Sequence, residues 1–297
     1  MNNIENFQEL QELARDNKRF YEIFMDLECF KLEKSKDQLN DLMLSHLNDM
    51  KASIKNGLSN PKLSVSGMSG TDSAKVAERY KNGKNLPMNK LFEKVLSYSL
   101  SVIEENQRMG KIIACPTAGS CGIVPAVVVA YGEELNISEE KQINSLFTAG
   151  GIGKLIAQQV PLAGAVAGCQ AECGVGSAMA AAAIVELLGG TNIMIINAAA
   201  LALKNTLGLV CDPVAGLVEV PCVKRNAFFA IHAVSASELA LAGVETVIPM
   251  DEIVVAMKQI GYLMSPDLKE SSDGGLATTE TGKTIAHKLV KLWFENN

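Results

Sequence analysis

Between residues 178 and 203 the chain reads AMAAAAIVELLGGTNIMIINAAALAL, alanine and aliphatic side chains interrupted by one carboxylate and a Gly189-Gly190 pair. Alanine is the strongest helix former. Faces of Ala and Gly also let helices approach one another closely, so this stretch predicts an all-α fold, a compact helical domain with Ala/Gly-rich central helices. The apolar character extends over 155–210, which raises the question of a membrane span. Glu172, Glu186 and Lys204 cut that stretch into pieces shorter than the roughly 18 apolar residues a span needs. Buried helices of a soluble core are the expected outcome. With hydrophobic residues at 48% and aromatics at only 5%, small aliphatic side chains must fill the interior.

The 297 residues are enough for one large domain or two modest ones. A net charge of −6, with no basic run carrying interleaved aromatics, argues against a nucleic-acid surface. The start, MNNIENFQEL, lacks the basic residues and apolar core of a secretory signal. A cytoplasmic location is therefore expected, and there cysteines serve as thiols or ligands more often than as disulfides.

Six of the seven cysteines fall between Cys115 and Cys222. Thiolates are the soft ligands that iron–sulfur clusters, zinc and copper(I) require. The spacings are C-x5-C, C-x3-C and C-x10-C with long gaps between, unlike zinc-finger or ferredoxin patterns. A metal held here would need the fold to bring distant segments together.

Leu39, Leu42, Met43, Leu47, Met50 and Ile54 recur at helical steps behind a Ser35–Gln38 capping box, and Gly57 and Asn60-Pro61 are expected to end that helix. Residues 1–60 read as a helical N-terminal extension and 61–297 as the main domain. The Ser64–Ser73 segment, SVSGMSGTDS, is too rich in glycine for a regular element and reads as a linker or a ligand-contacting loop. A further amphipathic helix runs from Leu91 towards Gly110. Helices follow at about 121–131, 139–150, 175–188, 191–207, 223–242, 250–261 and 281–295, although the Val127–Val129 and Ile193–Ile196 runs fit short strands equally.

Gly150-Gly151-Ile152-Gly153-Lys154 superficially matches a phosphate loop. It fails because Thr148 stands where the first glycine belongs and Leu155 where Ser or Thr must follow the lysine; helix termination explains it better. Cys115-Pro116-Thr117-Ala118-Gly119-Ser120-Cys121 places hydroxyls and backbone N–H groups before an apolar helix. That arrangement serves either to receive a carboxylate or simply to cap the helix. Cys169 and Cys173 share a helical face and read either as a metal pair or as small buried hydrophobes. Lys224 and Arg225, after Pro221-Cys222, are placed to meet an anionic substrate if they are not plain surface charge. His46, His232 and His287 are isolated, and none stands out as a base.

Taken together, ACPTAGSCG (114–122), AGCQAECGVGSAMAAAAIVELLGG (167–190) and GLVCDPVAGLVEVPCVKRNA (208–227) resemble the α subunit of bacterial iron–sulfur L-serine dehydratases, over about residues 60–290; SGTDSAK (69–75) fits less closely. The resemblance implies a lyase of amino-acid catabolism and gluconeogenesis that converts L-serine to pyruvate and ammonia. It implies a 4Fe-4S cluster held by Cys169, Cys211 and Cys222, with one iron left open as a Lewis acid. Cys121 and Cys173 fall at positions where relatives carry other small residues. Thr117, Gly119, Ser120, Gln170, Glu172, Lys224, Arg225 and Asn226 are the positions implied around cluster and substrate. The family's two-chain branch implies a β subunit as partner, and that subunit is one source for the unidentified base. Longer single-chain relatives place a C-terminal cysteine near the open iron, whereas here no cysteine follows Cys222 and the tail reads LVKLWFENN.

Three other readings compete. An L-cysteine desulfidase of the same architecture would eliminate sulfide in place of water. A cluster-bearing redox sensor would use Cys115, Cys121 or Cys173 as a fourth ligand. A pyridoxal-phosphate dehydratase would need a Schiff-base lysine beside a phosphate loop, and the rejected 150–154 segment is the nearest match.

Overall fold

The computed structural model describes residues 4–15, 18–83 and 86–295; the first residues of the MNNIENFQEL start and the last two of the LVKLWFENN tail lie outside them. The N-terminal helices are α1 (Phe7–Leu13), α2 (Phe20–Leu32), α3 (Lys36–Ser59), α4 (Asp72–Asn82) and α5 (Lys90–Gln107). Next come α6 (Ile123–Glu134), α7 (Glu139–Gln159), the single turn α8 (Gly164–Ala167), α9 (Val175–Leu187) and α10 (Asn192–Lys204). The chain closes with α11 (Cys222–Leu241), α12 (Met250–Leu263) and α13 (Glu280–Glu295). Among the described residues there is no β-strand, and the expected all-α class holds. The Val127–Val129 and Ile193–Ile196 runs are helical. No helix among the described residues is long and apolar enough to cross a membrane.

Helix α9 is the centre. Every residue of it is buried except Glu186, and α6, α7, α10 and α11 pack around it. An all-round apolar helix of Ala and Gly is stable only inside such a cage. Glu186 meets its charge at the periphery: Arg19 Nη2 stands 2.6 Å from it and Thr148 donates at 2.9 Å. Arg19 also donates to Gly190 O at 2.7 Å, which ties the start of α2 to the end of α9. The Ser35–Gln38 capping box is present as expected, with Ser35 N donating to Gln38 Oε1 at 3.0 Å.

Glycines expected to stop helices do something else. Gly57 lies inside α3, where a Cβ would overlap Ser101 Oγ and stand 2.5 Å from the Ser101 carbonyl of α5. Helix α7 runs straight through Gly150, Gly151 and Gly153 to Gln159. A Cβ at Gly151 would overlap the Phe24 ring of α2, and one at Gly153 would lie 2.7 Å from Met179 Sδ of α9. Close helix contact outweighs the intrinsic cost of helical glycine, roughly 1 kcal/mol relative to alanine.

Gly150 differs, because nothing lies within 4 Å of the Cβ it lacks. Replacing it with alanine should stabilise the chain by about 0.5–1 kcal/mol. Gly57→Ala should destabilise by about 1–3 kcal/mol through overpacking against backbone. Urea unfolding of both variants beside the parent checks the opposite signs.

Candidate active site at the three-cysteine junction

Three segments deliver buried thiols to one region beside the N-terminal end of α9. Cys169 follows Gly168, whose φ of +77° and whose missing Cβ, which would stand 2.8 Å from Leu209 O, let the chain turn sharply. A π-turn over Gln170–Gly174 then leads into α9. Such widened turns inside helices recur at functional sites. Cys211 is held on both sides of its peptide unit: its N–H donates to Leu268 O at 2.8 Å and its carbonyl accepts from Glu270 N at 2.7 Å. Cys222 is the first residue of α11.

Glu172 and Cys211 meet at Gly164. A Cβ on Gly164 would stand 2.7 Å from Glu172 Oε2 and 2.9 Å from Cys211 Sγ, so the carboxylate and the thiol converge on space that only glycine leaves free. Thr117 Oγ1 donates to Glu172 Oε1 at 2.8 Å, and Gly119 passes beside the same carboxylate.

The electrostatics bind this group together. Burial pushes the Cys211 thiol well up, and negative charge on Cys169, Glu172, Cys222 and Glu270 pushes it further. Burial pushes Cys222 up to about 12; charge on Cys169 adds to this, and Arg225 opposes it. Cys169 moves the other way: a bond from the Cys173 thiol lowers it most, burial opposes, and Arg225 lowers it again. Of the three, Cys169 alone is shifted downward. Glu172 is raised by burial, against the Thr117 bond that lowers it, with Glu270 adding to the rise.

The other expected positions are placed as follows. Asn226 is fully buried: its Oδ1 accepts from Gly122 N at 2.9 Å, and its Nδ2 donates to Gly119 O at 2.7 Å and Cys222 O at 3.0 Å. It joins the 115–122 loop to the Cys222 turn and covers the start of α6. Ser120 donates to Cys115 O at 3.1 Å. Gln170 spends its amide on Met257 O and Gly208 N, both at 3.0 Å. Arg225 donates to Val210 O and to Asp212 Oδ1, each at 2.9 Å. Lys224, exposed, pairs with Asp72 at 2.7 Å. Cys115, pushed up to about 12 by burial, and Cys121, also raised, are buried thiols in the packing of the 115–122 loop.

Sequence reasoning missed Asp212, Glu270 and Gly164. Asp212 stood in plain view beside Cys211, and its second oxygen accepts from Leu276 N at 2.9 Å. Glu270 carries no local signal, because its relation to Cys211 arises from a backbone pairing across 59 residues. Among the described residues no three His, Cys, Asp or Glu side chains are grouped closely enough to hold one metal ion in common. Cys169, Cys211 and Cys222 lie in this region together with Cys173, whose thiol hydrogen-bonds to Cys169.

Fold and site together define an all-α protein whose reactive groups sit on loops leading into buried helices. The chain matches the model of the serine dehydratase alpha chain over residues 15–277, and it belongs to that family. It is 43% identical to the probable L-serine dehydratase, alpha chain, of Bacillus subtilis, over 96% of this chain and 94% of that one. It is 39% identical to the L-serine dehydratase, alpha chain, of Peptoniphilus asaccharolyticus, over 92% and 93% respectively. The L-serine dehydratase TdcG of Escherichia coli is 41% identical over 66% of this chain but only 43% of its own length.

Because the folded, metal-free chain holds the Glu172 proton more tightly than the unfolded chain does, stability falls as pH rises from the ordinary carboxylate range through the raised folded value. Glu172→Gln, which keeps the oxygen that accepts from Thr117, should therefore melt above the parent at neutral pH and level with it in acid. Thermal unfolding of the metal-free proteins across that range checks the sign.

Proposed function

We propose that this chain is the catalytic subunit of an L-serine dehydratase, converting L-serine to pyruvate and ammonia, with residues 61–297 forming its catalytic part. The convergence of Glu172 and Cys211 on Gly164 carries the reading, and the names of the alpha-chain relatives support it. The donor set fits a 4Fe-4S cluster held by Cys169, Cys211 and Cys222. Thiols are the ligands such a cluster takes, three of them leave one iron free, and a cluster offers each thiolate its own iron. Gly164 lets Glu172 and Cys211 approach the backbone where any side chain would clash with them. A cluster held by these thiols would supply a Lewis-acidic site for the hydroxyl that must leave.

The chain's own residues prepare that chemistry. Arg225, fixed by Val210 O and Asp212, sets positive charge beside Cys169 and Cys222 and eases the loss of their protons, which ligation requires. Glu172 turns Oε2 towards Gly164, while Thr117 holds Oε1. Burial raises its proton affinity, in the direction a general base needs, and we assign it removal of the α-proton of serine. The hydroxyl departs with a proton as water, leaving aminoacrylate. Aminoacrylate tautomerises to the imine, and one water hydrolyses that to pyruvate and ammonia, so atoms balance with no oxidant. Thr117 and Gly119 border the same carboxylate, Ser120 lies 3.3 Å from the Thr117 hydroxyl, and all three are assigned to the substrate side. A β subunit is the proposed partner, following the alpha-chain names of the relatives, and the cytoplasm, where thiols stay reduced, is the proposed location.

The test is an anaerobic assay of the reconstituted chain with its partner, scoring pyruvate from L-serine and sulfide from L-cysteine. Pyruvate from serine is expected to dominate, and Glu172→Gln should lower kcat by about 10²–10⁴-fold. Sulfide release from cysteine without serine turnover would replace this reading with a desulfidase. An undiminished Glu172→Gln variant would remove the glutamate from the base role.

A further inference from the structure

The glycine- and serine-rich segment that reads as a linker or a ligand-contacting loop is fastened to the site region. Ser64 and Ser69 each donate to Glu219 Oε2 at 2.6 Å, and Ser66 donates to Oε1 at 2.8 Å. The segment is closed on itself, with Ser64 N donating to Ser69 O at 2.9 Å and Gly67 N to Ser64 O at 3.0 Å. Arg108 braces both of its ends, donating to Lys62 O at 3.2 Å and Gly70 O at 3.1 Å. Glu219 is buried, so its negative charge is met by three short hydroxyl bonds from a preformed loop.

The carboxylate stands in the turn between Cys211 and Cys222. The Glu219 carbonyl accepts from Val223 N at 2.9 Å, in the first turn of the helix that Cys222 begins. Val214 N donates to Val220 O at 2.8 Å, closing the turn, and Gln107 Nε2 donates to Val218 O at 2.5 Å. Two of the three thiols assigned to the cluster thus lie at the ends of a turn pinned, close to its Cys222 end, to a loop about 150 residues earlier.

We propose that Glu219, with Ser64, Ser66 and Ser69, is a strap that holds the Cys211–Cys222 turn in its cofactor-accepting conformation. Glu219 is a positioning residue, acting through the turn. The strap's significance for catalysis rests on the cluster reading above, whereas its mechanical action does not. Ligands fixed before the cofactor arrives need no ordering when it binds. Glu219→Gln keeps the shape but leaves one carbonyl oxygen to serve three hydroxyls. Ser64→Ala with Ser69→Ala removes two of the donors and leaves the carboxylate in place.

The experiment is timed alkylation of the metal-free full-length chain, read cysteine by cysteine from peptide masses. Glu219→Gln and the double serine variant should each speed labelling of Cys211 and Cys222 about tenfold, as expected for loss of charge-assisted bonds. Cys121 in the same sample should stay at the parent rate. Combining the two sets of changes should add little to Glu219→Gln alone, since the partners act as one unit. Unchanged rates at Cys211 and Cys222, or a parallel rise at Cys121, would overturn the strap. A milder variant, Ser66→Ala, should fall between parent and Glu219→Gln. After anaerobic reconstitution, Glu219→Gln should also lose iron faster than the parent. If the parent itself takes up no iron, the cluster reading fails and the labelling result stands alone.

Discussion

A helix buried on all its faces needs neighbours on every side, and it can have them only if its side chains are small. Helix α9 meets both conditions, and much of the molecule follows from that. Four helices surround it, and Gly153 brings α7 to within contact of Met179. Its one charged residue is answered by Arg19 and Thr148 at the edge of the cage. Because interiors of this kind are close-packed and yield little, the π-turn that begins α9 has a fixed base. Cys169 and Glu172 are presented from that base.

The site is held by polar ties between segments far apart in sequence, more than by contacts within any one motif. Asn226 links the 115–122 loop to the Cys222 turn, and Arg225 with Asp212 links α11 to the 275–278 turn. Glu104, fully buried, accepts from Asp72 N at 2.6 Å and Ser73 Oγ at 2.6 Å, anchoring the start of α4. Asp72 in turn pairs with Lys224. Each buried carboxylate lowers the margin of stability unless its donors are in place. Among the described residues Glu172 accepts from Thr117 alone, and burial raises its proton affinity.

Most of the helices were legible in the sequence because hydrophobic period, capping residues and alanine content are local signals. The glycines of α3 and α7 were not, since the reason for them is the Ser101 carbonyl, the Phe24 ring and Met179, all on other helices. The 64–73 segment reads as a linker or a ligand-contacting loop for the same cause: Glu219, which turns it into a fixed loop, lies on the far side of the chain. The blocks that carry the thiols were legible as blocks. Their chemistry was only partly so, because the Glu172–Cys211 convergence is created by the absence of a side chain at Gly164. Amides such as those of Gln170 and Asn226 look equally suited to ligand or to backbone until the backbone around them is seen.

The central claim is that three thiols from three segments hold one cluster with an open iron. The most direct test counts iron and acid-labile sulfide after anaerobic reconstitution, in the parent and in Cys169→Ser, Cys211→Ser and Cys222→Ser. The account predicts about four of each per chain in the parent, lost in all three variants and retained when Cys115, Cys121 or Cys173 is changed. No bound iron in the parent, even with its partner chain present, would contradict it and return all six cysteines to the packing of the core.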